Sequence, residues 1–127
     1  MSDDNKKAPR SFIRVSTKYK RLYVNPATHD ILGNPPFYEF LLSDEKKQLF
    51  IAPVWENKIG SYSIPVYNGQ RQRREIVVRG IILFATLTKK FGWQANMNYK
   101  YFGEYIPEYN IIGFQMSNPV IMERAIR

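Results

Sequence analysis

Two stretches of the chain carry the same signals in the same order, and that order limits what the chain can fold into. From Phe12 to Val54 there are two short β-rich runs, "FIRVS" and "RLYV". A brief helical segment ending at Leu32-Gly33 follows, then a pair of apolar runs around a polar turn. From Tyr62 to Met116 the order is "YSIPV", "REIVV", a longer helical segment ending at Phe91-Gly92, and a second pair of apolar runs. Units this short cannot cover both faces of their own sheets, so two of them are expected to interlock around one shared core. The expected fold class is therefore α+β, mostly β, with two βαββ units in tandem forming one small barrel-like domain. The competing reading is an α+β domain whose element order repeats by coincidence.

The local signals are specific. Asn25 suits an N-cap, Pro26 suits the first helical position, and Gly33 suits a left-handed residue after the helix; Pro35-Pro36 then prevent continuation. "FYEFLL" and "QLFIAPV" flank "SDEKK", which predicts a hairpin over 37–54. Asn68-Gly69 predicts a second hairpin, joining "YSIPV" to "REIVV" through "QRQRR", with Pro65 favouring an edge strand. Phe84, Leu87 and Phe91 recur at helical spacing, so Gly80 to Phe91 reads as the longer helix, with Thr86, Lys89 and Lys90 off its apolar face. "NYKYFGEYI" and "IIGFQM" around "PEYN" predict the last hairpin. The expected core is Leu32, Phe40, Leu49, Ile51, Val77, Phe84, Leu87 and Phe91. Residues 1–11 read as a disordered basic arm, 12–116 as one domain with units 12–54 and 62–116, and 117–127 as a tail that packs or frays.

Charge separates the function classes. Of 127 residues, 19 are Lys or Arg and 11 are Asp or Glu, a net charge of +8. Residues 1–21 carry seven basic and two acidic residues, and residues 71–79 carry four arginines and one glutamate. These two segments account for the whole excess, and clustering of this kind suits phosphates or an acidic partner. The candidate nucleic-acid-binding residues are Arg10, Arg14, Lys18, Lys20 and Arg21 of the first segment and Arg71, Arg73, Arg74 and Arg79 of the second. The plain alternative is a pair of solvated loops.

Other chemistry finds little support. There is no cysteine, and His29 is the only histidine, which rules out a thiolate zinc site or a His-rich metal site. Adjacent helix positions diverge, so Asp30 cannot face His29, which reads as a surface residue. Asp44 and Glu45 read as a solvated hairpin tip rather than an acid/base pair, and no glycine-rich phosphate loop occurs. No enzymatic activity, cofactor or metal is expected. No apolar run reaches membrane-spanning length and the N-terminus is too polar for a secretory signal, so a soluble, cytoplasmic protein without membrane contact is expected. Tyr99, Tyr101 and Tyr105 share one face of a strand, either as a stacking or docking stripe or as core.

The stretch "KRLYVNPATHDILG" resembles the N-terminal unit of AbrB-type swapped-hairpin DNA-binding proteins. Arg21 precedes the strand "LYV", Pro26 makes the corner, and a short helix closes at Leu32-Gly33 before a hairpin with an acidic turn, Ser43 to Lys47. Lys20 stands where that family carries glycine, Pro26 lies one place later than usual, and His29 and Asp30 stand where arginines are common. In that family two units, from two chains or from tandem copies as in MraZ-like proteins, intertwine into one barrel. The resemblance implies a small bacterial or phage regulator that binds double-stranded DNA, with a homodimer compatible. Two other readings stay open. One is a mobile-element protein inhibitor or accessory factor that sets its basic face against an acidic or nucleic-acid-processing partner. The other is an assembly protein whose aromatics form an interface.

Overall fold

The computed structural model describes residues 10–64 and 75–122. In chain order the elements are β1 (Phe12–Ser16), β2 (Arg21–Val24), α1 (Pro26–Ile31), β3 (Phe37–Ser43), β4 (Gln48–Val54) and β5 (Tyr62–Ser63). They continue as β6 (Ile76–Val78), α2 (Ile81–Phe91), β7 (Asn98–Ile106), β8 (Ile111–Gln115) and β9 (Val120–Met122). The Asn68-Gly69 hairpin lies outside the described residues, and within them β5 pairs with β3 while β6 pairs with β2.

Three four-residue turns share one geometry. They span 17–20, 44–47 and 107–110, between the paired residues Ser16 and Arg21, Ser43 and Gln48, and Ile106 and Ile111. The last residue of each turn is left-handed: Lys20 at φ 55°, Lys47 at φ 52° and Asn110 at φ 54°. Asparagine tolerates that conformation, whereas lysine adopts it at a cost.

Helix α1 starts as its sequence predicts. The Asn25 side-chain oxygen accepts from the Thr28 N–H at 3.1 Å and from the Phe12 N–H at 3.0 Å, while its amide donates to the Arg10 carbonyl at 2.8 Å. One buried side chain thus caps the helix and fastens it to the start of β1. Gly33 and Gly92 follow α1 and α2 in the left-handed region, at φ 91° and 67°.

The strands form a nearly closed, barrel-like antiparallel sheet in the order β5-β3-β4-β8-β7-β1-β2-β6, with β9 beside β7. Strand β7 does double duty: Asn98 to Phe102 pair with β1, and Gly103 to Ile106 pair with β8. The changeover is at Gly103, where a Cβ atom would stand 2.5 Å from the Phe114 ring and 2.7 Å from Ile112. Only a residue without a side chain lets the strand turn there against its neighbour. Val120 to Met122, in the expected tail, add β9 to the first half of β7.

The core is filled by alternate residues: Ile13 and Val15 of β1, Leu22 and Val24 of β2, Leu49 and Ile51 of β4, and Ile112 and Phe114 of β8. Leu87 anchors α2, and Leu32 closes α1. Tyr99 and Tyr101 belong to this core, with Tyr105 packed against it, so the tyrosine stripe is interior. Phe40, Phe84 and Phe91 are only partly buried, because each sits at the margin of the cluster rather than within it. The expectation for Val77 is corrected. It pairs with Tyr23, while its neighbours Ile76 and Val78, paired with Val24 and Leu22, take the buried positions. Three consecutive branched apolar residues give no alternation from which to choose a face.

Candidate nucleic-acid interface

The predicted cations separate into three groups. Arg71, Arg73 and Arg74 lie outside the described residues. Arg10 and Arg14 lie on the outer face of the sheet, where β1 meets β2 and β7. Lys20, Arg21 and Arg79 gather at one groove, and Lys18 stands next to it in the same turn.

The outer face is a ladder of cations over rings. In register, Phe12 opposes Phe102, and Arg14 lies between Tyr23 and Lys100. The Arg14 guanidinium covers the Tyr23 ring at 3.9 Å, Lys100 covers Phe12 at 4.1 Å, and Arg10 covers Phe102 at 4.1 Å. Arg14 also makes a two-pronged ion pair with Glu75, Nη2 to Oε1 at 2.7 Å and Nε to Oε2 at 3.2 Å. The hydrogen bond to Glu75 holds the Arg14 pKa above its ordinary value. The acidic residue of the second basic segment therefore neutralises an arginine of the first, and both charge and ring faces on this surface are already engaged.

The groove is different. It lies between α2, the 17–20 turn and the ends of β2 and β6, with a volume of about 740 Å³. Val78, Phe84, Ala85 and Trp93 supply its apolar lining, and Lys20, Arg21, Arg79 and Lys89 its charge. Arg21 begins β2 and Arg79 follows the end of β6, and the last β2–β6 pair, Leu22 with Val78, brings both arginines to the same end of the sheet. Like charges brought close together cost stability. Among the described residues none of these four cations has an ion pair; three of the acidic residues pair with other cations, Glu75 with Arg14, Glu39 with Lys58 and Asp44 with Lys90.

Trp93 is braced from behind. Its indole N–H donates to the Tyr101 hydroxyl at 2.6 Å, and its ring lies 25° from that of Tyr99 at 6.1 Å between centroids. The Gln94 N–H donates to the Tyr99 hydroxyl at 3.0 Å, which fixes the loop after α2. Burial pushes the Tyr101 phenol up to about 12, so it stays protonated at neutral pH. Phe84 meets Trp93 with centroids 5.5 Å apart, tilted by 48°.

Lys89 and Trp93 were not singled out from the sequence as binding residues. The signal available for Lys89 was its position off the apolar face of α2; Trp93 showed only as a residue of the loop after Gly92. His29 is not a plain surface residue: its Nδ1 and the buried Tyr38 hydroxyl are hydrogen-bonded at 2.7 Å. The described residues contain no cluster of His, Asp or Glu able to hold a metal ion, and no helix among them is long and apolar enough to cross a membrane. No family model, curated protein or solved structure matches the chain.

Proposed function

We propose that the chain is a non-enzymatic nucleic-acid-binding protein that holds phosphates along the groove rim with Lys20, Arg21, Arg79 and Lys89. The observation that carries this reading is the gathering of Lys20, Arg21, Arg79 and Lys89 at one groove, with no acidic partner among the described residues. Such a cluster opposes folding unless a ligand benefits from it, and a phosphodiester chain brings one negative charge per nucleotide to meet it. A role as a small regulator, by likeness to AbrB-type proteins, accords with this.

The strand pairing supports reading the fold as two interlocked units in the swapped-hairpin manner. Exchange β1–β4 with β5–β8, and β3·β4 becomes β7·β8, β1·β7 becomes β5·β3, and β4·β8 and β2·β6 map onto themselves. The exchange also sets β3, which carries Tyr38, on β7, which carries Tyr101. Both tyrosines are fully buried, and both have a hydroxyl bonded to a ring nitrogen, of His29 and Trp93 respectively. In this reading Lys20 occupies the family's glycine position and keeps its left-handed backbone.

Fluorescence anisotropy with labelled oligonucleotides between about 50 and 200 mM salt tests the function. Replacing Lys20, Arg21, Arg79 and Lys89 together by alanine should lower the slope of log affinity against log salt by roughly 3 to 4 units. If the wild-type protein binds neither single nor double strands at low salt, the reading fails. The accessory-factor alternative, in which the same cations and apolar lining hold an acidic protein, then replaces it.

A further inference from the structure

We propose that the groove receives an unstacked base of a single strand, with the flanking phosphates on its cationic rim; this rests on the nucleic-acid reading above. Three observations lead to it. The first is the shape and chemistry of the groove. At about 740 Å³ it falls within the range of small-molecule sites, and its lining is apolar and aromatic. A duplex presents phosphate ridges and keeps its bases stacked inside, so it has nothing to bury against Phe84 and Trp93. A single strand has free π faces, and aromatic side chains are the usual surface on which they stack.

The second observation is preorganisation. Trp93 is held by its hydrogen bond to Tyr101 and by the Tyr99 ring, so a ligand need not immobilise it. Beside it, the exposed Gln94 lines the groove, and its side-chain amide has no hydrogen bond among the described residues. Its oxygen and nitrogen are available to a base edge.

The third observation excludes the obvious competitor. The outer sheet face also alternates aromatic and basic residues, as a stacking platform would. There, however, Phe12, Tyr23 and Phe102 are each covered by a cation of the protein itself at 3.9 to 4.1 Å. A base would first have to displace it. In the groove, Phe84 is only partly buried over the buried Trp93, no cation of the described residues covers either ring, and the cations of the rim lack acidic partners.

The test compares three labelled probes of equal length: a single-stranded oligothymidine, a duplex, and an abasic single strand that keeps every phosphate. The single strand should bind about tenfold more tightly than either of the others, the usual scale for one stacked base. In a Trp55→Phe background it should also quench the fluorescence of Trp93. Ala85→Trp, at an exposed groove position, should fill the site and bring the single strand down to the affinity of the abasic strand, with an unchanged melting temperature showing that the fold is kept. Equal binding of all three probes overturns the base site and leaves the phosphate reading standing. Binding to an acidic glutamate–tyrosine copolymer but to none of the three probes overturns both.

Discussion

Replacing Lys20 by glycine should make the protein more stable and a weaker binder. Lys20 ends the 17–20 turn at φ 55°. For a residue with a Cβ atom the left-handed region costs roughly 1–2 kcal/mol, and glycine does not incur that cost. Glycine returns about 0.5–1 kcal/mol of it through the greater freedom of the unfolded chain. The net gain is about 0.5–1 kcal/mol, a rise of roughly 2–5 °C in Tm for a domain of this size. Binding should move the other way: one lost phosphate contact lowers the salt slope by about 0.7 on a single strand. Lys47 is the internal control, since it closes the 44–47 turn at φ 52° and does not line the groove. Lys47→Gly should give a similar Tm increase with an unchanged salt slope. Calorimetric melting and anisotropy titrations read the two quantities separately. A Lys20→Gly protein that melts more than about 2 °C lower, or one that binds with the wild-type slope, would refute the reasoning.

Further outcomes follow from the core. Leu87 is the fully buried side chain of α2, so Leu87→Ala should cost about 2–5 kcal/mol in a urea melt, and a loss below about 1 kcal/mol would mean that α2 is not anchored there. Tyr101, with its pKa raised by burial to about 12, keeps its proton in the folded state when the unfolded chain has begun to lose it. Its contribution is complete below about pH 10 and is lost as pH rises through 12, the loss amounting to roughly 3 kcal/mol; Tyr101→Phe should flatten that alkaline decline in urea midpoints. Gly103→Ala forces a methyl group against Phe114 and should destabilise by roughly 1–3 kcal/mol or more, measured by the same melts.

The elements whose limits depend on a few adjacent residues were legible in the sequence. Asn25-Pro26 and Gly33 bound α1, the spacing of Phe84, Leu87 and Phe91 gives α2, and the turns at 44–47 and 107–110 announce their hairpins. What depends on pairing across the chain was not. Nothing near Phe12 says that it will oppose Phe102, and nothing in "EIVV" says that Val77 faces outward; both follow from register. The binding site shows the same division. The charge count marked Arg21 and Arg79 in separate segments, but only the pairing of β2 with β6 brings them to the same end of the sheet, and only the packing of α2 adds Lys89 and Trp93. Arg14 shows the reverse, a cation flagged by composition whose partner, Glu75, lies 61 positions away.

The shared use of β7 has a consequence for how the chain reaches its fold. Strand β1, made before β7, has β2 on one side and must wait for Asn98 to Phe102 on the other; β4 must likewise wait for β8. During synthesis the hairpins that precede β7 therefore emerge with open edges, and no register of the complete sheet can be set until β7 has left the ribosome. Such a chain should fold in a late, concerted step, and a ribosome-stalled fragment ending before Asn98 should be readily digested by protease while one carrying β7 and β8 is protected.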